Sequence, residues 1–153
     1  MYGVVMGCDE AAVTLKAVLK KLLLDSGYPV EDEGVADSSD KTAYPLVAEK
    51  VCEKIIASDY KKRGVLLCGT GIGMCISANK FRGIRAAVCH DIFSTRRSIL
   101  SNDCNVACFG ERVIGPEHAK ANLAEWITLE FTGGPSLPKV KEIVNLEKGN
   151  FRP

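Results

Sequence analysis

Short β-branched or apolar runs alternate along the chain with longer stretches in which apolar side chains recur every three or four positions. That alternation predicts βαβ units and a parallel sheet covered on both faces. Residues 2–6 read as the first strand. After a turn at Gly7 to Asp9, Leu15, Leu19, Leu22 and Leu23 share one face of a helix, Lys16, Lys20 and Lys21 point away, and Gly27 and Pro29 stop it. Residues 30–35 form a weak second strand, followed by a polar loop over 37–42. A second helix carries Val47, Val51 and Ile55 at i, i+4 and i+8, with Lys50, Glu53 and Lys54 toward water. Residues 64–68 are continuously apolar, as in a strand buried on both faces in mid-sheet. The pattern then repeats: a glycine-rich turn opens a short helix to residue 80, 84–89 and 104–109 read as strands, and 92–100 as a helix between them. Gly115-Pro116 starts a long helix with Ala119, Leu123, Trp126 and Glu130 on one stripe, and Gly133-Gly134-Pro135 ends it. In the tail, Val140, Ile143, Val144 and Leu146 sit among charges; such a helix finds no room in a small core and is expected to pack on a partner subunit. The predicted architecture is one three-layer, doubly wound α/β domain over 1–153, with about five parallel strands.

Composition narrows the function classes. At 153 residues, 46% hydrophobic and 25% charged, the chain has the make-up of one folded domain. Twenty basic against 19 acidic side chains leave a net charge of +1, so no electrostatic force favours DNA or RNA as a partner. Seven cysteines, an odd number set mostly in apolar runs, read as reduced. No Cys-x-x-Cys pair occurs and only His90 and His118 are present, so no metal centre is expected. The first ten residues lack the basic and apolar regions of a secretion signal, and no apolar run nears the roughly 18 to 20 residues that cross a bilayer. The expected location is cytoplasmic, without membrane contact.

In open parallel sheets, ligands bind beyond the carboxyl ends of the strands. The richest such end is Cys68-Gly69-Thr70-Gly71-Ile72-Gly73. Its alternate glycines let the backbone approach a ligand, and its N–H groups begin a helix, where an anion is favoured by roughly 1 kcal/mol. The spacing is neither the dinucleotide fingerprint nor a phosphate loop, and a purely structural tight turn is an equally good reading. Cys68 sharpens the question, because a thiolate held there would serve as nucleophile or base. Nothing in the sequence places His90 or His118 beside it. The plain alternative makes Cys68 a small core residue, like Cys52, Cys75, Cys104 and Cys108.

Several motifs together resemble the ribose-5-phosphate isomerase B and galactose-6-phosphate isomerase family. They are Gly7-Cys8-Asp9, Tyr44-Pro45, Cys68 to Met74 with Ala78-Asn79-Lys80, Gly83-Ile84-Arg85-Ala86, Asn102-Asp103 and Gly110-Glu111-Arg112-Val113-Ile114-Gly115. The resemblance covers about residues 1–134. It implies an aldose–ketose isomerase with no metal or cofactor, a Rossmann-like sheet, and a homodimer whose sites draw on both subunits, with a tetramer left open. By the same resemblance Cys68 removes the C2 proton, and the following amides, Gly69, Gly71, Ile72 and Gly73 among them, hold the enediolate. Asp9 helps to open the sugar ring, Thr70 places a hydroxyl beside C1, Asn102 binds a sugar hydroxyl, and Arg112 reaches the phosphate across the dimer. Tyr44 is either a pocket wall or a helix cap.

The departures bear on substrate. Glu10 stands where the family has a histidine, Ser101 replaces another histidine before Asn102, and Gly133-Gly134-Pro135-Ser136-Leu137-Pro138-Lys139 lacks two phosphate-binding arginines. Glu10 and Lys139 then become substrate contacts by position. Arg97, and less so Arg96, are candidates to replace the lost arginines, and His90 to add a donor or close the pocket; a solvated helix face is the competing reading for both arginines. Two functions fit: a sugar-phosphate isomerase, for ribose 5-phosphate or a shorter substrate such as a four-carbon ketose phosphate, or a binding protein that has lost catalysis.

Overall fold

The computed structural model describes residues 2–151. In chain order the elements are β1 (Gly3–Cys8), α1 (Val13–Asp25), β2 (Val30–Asp32), α2 (Tyr44–Ala57), β3 (Lys62–Cys68), α3 (Ile72–Ala78), β4 (Ala86–Val88), α4 (Ile92–Leu100), β5 (Val106–Gly110), α5 (Pro116–Trp126) and α6 (Leu137–Asn150), with a 3-10 turn at Gly134–Ser136 before α6. The five strands are parallel and ordered β2-β1-β3-β5-β4, so the apolar β3 lies at the centre, as its composition predicts. Helices α2 and α3 pack together on one face, and α1, α5 and α4 on the other. The three-layer expectation is met. Chain order reverses between β1 and β3, and in such sheets the reversal opens a crevice at the carboxyl ends of those two strands.

Three expectations change. Lys16 does not face water: it is 6% exposed, and its ammonium bonds Asp32 at 3.0 Å and the Val35 carbonyl at 2.8 Å, neutralising an acid at the end of β2. Helix α5 stops at Trp126 rather than running on to Gly133, which leaves Glu130 outside it. The cause is Arg63, buried at the start of β3, whose guanidinium donates to the carbonyls of Trp126 at 3.0 Å and Leu129 at 2.5 Å and lies over the Tyr2 ring. It takes the carbonyls that a longer helix would have used. Strand β4 is only three residues long and sits at the sheet edge. Its outer edge is closed by Asn79, whose side-chain amide exchanges two 2.9 Å bonds with the Ala86 backbone and imitates a further strand.

Beside that edge lies a groove of about 450 Å³, with Ala86, Val88, Arg97, Asn102 and Ile143 among its lining residues. Helix α6 buries only Val140 and leaves Leu146 exposed. Among the described residues no helix is long and apolar enough to cross a membrane.

Candidate active site

The loops that follow β1, β3 and β5 are laced together through the backbone. Asp9 N–H donates to the Leu67 carbonyl at 3.3 Å, Glu111 N–H to Cys68 at 3.0 Å, and Arg112 N–H to Gly69 at 3.0 Å. Cys68 closes β3 and is 5% exposed, and its Sγ accepts the Gly71 N–H at 3.1 Å. Thr70 Oγ1 accepts the Ile72 N–H at 3.3 Å, which leaves the hydroxyl proton to be donated. The N–H groups of Gly69, Thr70 and Gly73 have no acceptor among the described residues. One turn thus combines a sulfur with three spare donors, an arrangement suited to taking a proton and holding the oxyanion that forms.

The glycines have a reason the sequence did not show. A β-carbon on Gly73 would lie 2.7 Å from the Tyr44 ring, and one on Gly71, whose φ is +76°, would lie 3.0 Å from the Phe109 carbonyl carbon. A β-carbon on Gly110 would meet the Thr70 backbone at 2.5 Å. The protein's own walls demand glycine there, whatever a ligand requires. Tyr44 is not the helix cap: it is the first residue of α2, the cap position is Ala43, and its ring packs against Gly73.

Asp9 is 8% exposed, and its Oδ1 accepts the Ala11 N–H at 3.0 Å. Burial pushes its carboxyl above the ordinary value, assisted by the Glu10 charge; the Ala11 bond and the Arg112 guanidinium pull the other way. Arg112 lies over its own cradle, with a guanidinium nitrogen 3.4 Å from where a Gly69 β-carbon would be. The Arg112 backbone is anchored to the same loop by its N–H bond to the Gly69 carbonyl. His90 Nε2 accepts the Gly110 N–H at 2.8 Å and so props the tip of β5, and burial lowers its pKa; any donation to a sugar would fall to Nδ1.

The remaining thiols divide by environment. Burial pushes Cys8 and Cys89 up to about 11 and Cys52 and Cys104 to about 12, which suits inert packing residues. Cys75 moves down to about 7, because hydrogen bonds from Cys108 and Asn79 outweigh its burial. It is half-buried rather than core, and its sulfur lies 3.4 Å from the Ala86 carbonyl oxygen, on the side of α3 facing β4.

Within one protomer the structure brings together Asp9, Glu10, Tyr44, the Cys68 to Gly73 turn, His90 and Arg112. It does not bring Arg97, Asn102 or Lys139 to them. Asn102 precedes β5 and Arg97 is in the last turn of α4, so both lie at the amino end of the sheet, the length of β5 away, on the order of 15 Å. Arg97 donates to Ser101 Oγ, and Arg96 is paired with Glu125, which settles the latter as a surface residue. Lys139 is exposed on the first turn of α6. One residue of the motifs has no role assigned from the sequence. Glu111 Oε2 accepts the Leu15 N–H at 2.8 Å, 96 positions away, and no local pattern signals such a contact.

Known proteins share both the sequence and the fold. The family model described as Ribose/Galactose Isomerase matches residues 4–143. A D-erythrulose-4-phosphate isomerase of Pectobacterium atrosepticum is 45% identical over 94% of this chain and 93% of that protein. D-erythrulose-4-phosphate isomerase 2 of Mycolicibacterium smegmatis is 44% identical over 94% of this chain and 96% of its own length. The solved ribose-5-phosphate isomerase B of Clostridium thermocellum superposes with a TM-score of 0.91 at 36% identity, covering 96% of this chain and 98% of that one. With the fold, the cysteine-glycine turn and the full-length similarity in agreement, the chain belongs to the ribose/galactose isomerase family.

Proposed function

We propose that this chain interconverts the aldose and ketose forms of a four-carbon sugar phosphate through an enediolate, with Cys68 as the base. The observation that carries this is the Cys68 sulfur seated 3.1 Å from the Gly71 N–H in the same turn as three amides that have no acceptor among the described residues. The thiolate takes the C2 proton, electrons shift to the carbonyl oxygen at C1, and the spare N–H groups hold the charge that appears there. A proton is then delivered to C1 from Cys68, whose thiol proton exchanges with solvent while the enediolate is held. Thr70 O–H lies beside C1, and Asp9, its carboxyl pKa raised by burial, moves the proton between the two oxygens. Arg112 grips the phosphate.

The chain length follows from chemistry. In a four-carbon 4-phosphate the C4 oxygen is esterified, so no stable ring can close and no ring-opening acid is needed. A pentose 5-phosphate keeps its C4 hydroxyl and closes. The two positions where the family pattern has histidine are Glu10 and Ser101, which fits a substrate that arrives open, and two relatives named for erythrulose 4-phosphate support the same choice. The binding-only alternative has no support from these relatives.

The working unit is a homodimer in the cytoplasm. Seven free thiols suit a reducing compartment. Asn102 and Arg97 face the groove beside β4, too far from their own Cys68, and serve the site of a second protomer; Lys139, exposed on α6, joins them. The test compares kcat/KM for D-erythrulose 4-phosphate, D-ribose 5-phosphate and a hexose 6-phosphate, with solvent exchange of the transferred proton, at C1 of a ketose or C2 of an aldose. The four-carbon substrate is expected to lead; ribose 5-phosphate clearly ahead overturns the chain-length assignment, and no exchange with any of them overturns the isomerase.

A further inference from the structure

We infer that Glu111 is a positioning residue that sets where Asp9 stands relative to Cys68, by fastening the loop after β1 to the loop after β5. Its carboxylate accepts the Leu15 N–H at 2.8 Å and its own N–H donates to the Cys68 carbonyl at 3.0 Å. It therefore holds the catalytic strand with its backbone and the start of α1 with its side chain. Helix α1 depends on this contact. Its cap position is Ala12, no side chain caps it, and its first turn holds no acid, so its N-terminal amides lack the usual local acceptor. A carboxylate arriving from β5 supplies both the acceptor and the charge that this end favours.

The turn that leads into α1 is the one that carries Asp9. Ala11 N–H bonds Asp9 Oδ1 at 3.0 Å, and Ala12 N–H bonds the Asp9 carbonyl at 3.2 Å. Moving the first turn of α1 therefore moves Asp9. The next residue completes the clamp, since Arg112 N–H bonds Gly69 and its guanidinium lies over that glycine. Glu111 and Arg112 thus tie the end of β5 to its neighbours on one side, the acid reaching the start of α1 after β1 and the arginine the loop after β3. Glu111 touches no reacting atom, and its effect passes through Asp9. The kinetic part of this inference rests on the isomerase reading; the geometric part does not.

The test follows the Asp9 carboxyl by carbon-13 NMR titration in the wild type, Glu111→Ala and Glu111→Gln, together with kcat and KM for D-erythrulose 4-phosphate. In Glu111→Ala the Asp9 carboxyl is expected to become better solvated and titrate closer to the ordinary 3.8. Its kcat should fall by about 10- to 100-fold, the scale of an ångström of misplacement, with KM nearly constant. Glu111→Gln keeps an oxygen acceptor and should restore both. A folded Glu111→Ala in which Asp9 titrates as in the wild type overturns the inference, as does a Gln variant indistinguishable from Ala. If the wild type exchanges no C1 proton of D-erythrulose 4-phosphate with solvent, the isomerase reading falls, and the Asp9 titration still decides the role of Glu111.

Discussion

The two ends of the β3–β5 pair are built differently. At the carboxyl end, three loops bond one another through their backbones, the glycines fit against neighbouring walls, and the side chains that matter are each held by a named partner. Beyond the amino end, along the β4 edge, Arg97 and Asn102 are exposed over an open groove, and α6 leaves apolar surface uncovered. The first region is finished within one chain and the second is not. The proposed homodimer would account for that difference: the proposed base and oxyanion donors are preorganised locally, while Arg97 and Asn102 would meet the substrate only across a second surface.

The largest effect should come from the finished end. Cys68→Ala removes the proposed base and is expected to lower kcat by at least about 1,000-fold, within the usual range for losing a general base, with an intact fold. Comparable residual turnover would overturn the assignment and shift attention to Glu10, next to Asp9 after β1. The unfinished end is probed next. Asn102→Ala should be impaired, and mixing it with Cys68→Ala, then allowing subunits to exchange, should restore activity. Each mixed dimer carries one site with both residues intact, so about a quarter of wild-type activity is expected from random pairing. No recovery on mixing would place Asn102 outside the shared site.

How much of this was legible beforehand differs between the two ends in the same way. Element types and the central place of β3 followed from periodicity, because a strand buried on both faces has no polar positions. The cysteine-glycine turn was visible because its residues are contiguous. The partners that fix it were not: His90 bonding Gly110, Glu111 bonding Leu15 and Tyr44 covering Gly73 are contacts between distant segments that leave no local pattern. Lys16 misled for a related reason. Its helical phase pointed toward water, and only the position of Asp32 on a neighbouring strand explains its burial. The end of α5 was misjudged because Arg63 intercepts its carbonyls from another layer.

A smaller effect is expected at the rim of the finished end. Arg112→Ala removes charge-assisted donors for a phosphate, worth about 1.5–3 kcal/mol, so KM should rise roughly 10- to 100-fold while kcat changes less. A KM unchanged in that variant would leave the phosphate to residues of the partner and weaken the contrast between the two ends.

The smallest effect concerns stability and has the opposite sign. Asp9 sits buried beside Glu10 with its carboxyl pKa raised, so the folded state disfavours its charge. At neutral pH the group is ionised in the unfolded chain, and folding must bury that charge; the contribution is unfavourable there. Lowering the pH through the raised folded value protonates Asp9 in the native state, and below the ordinary 3.8 both states are protonated and the penalty is gone. Asp9→Asn removes the charge while keeping an oxygen for the Ala11 N–H. The variant is therefore expected to melt a few degrees above the wild type at pH 7, a gain that closes as the pH falls toward 4, while turnover drops. Thermal melts of both proteins across that range check it. An Asn variant less stable than the wild type at pH 7 would mean that the carboxylate is held there by attraction rather than tolerated, and the finished end would owe its order to Arg112 and Asp9 together.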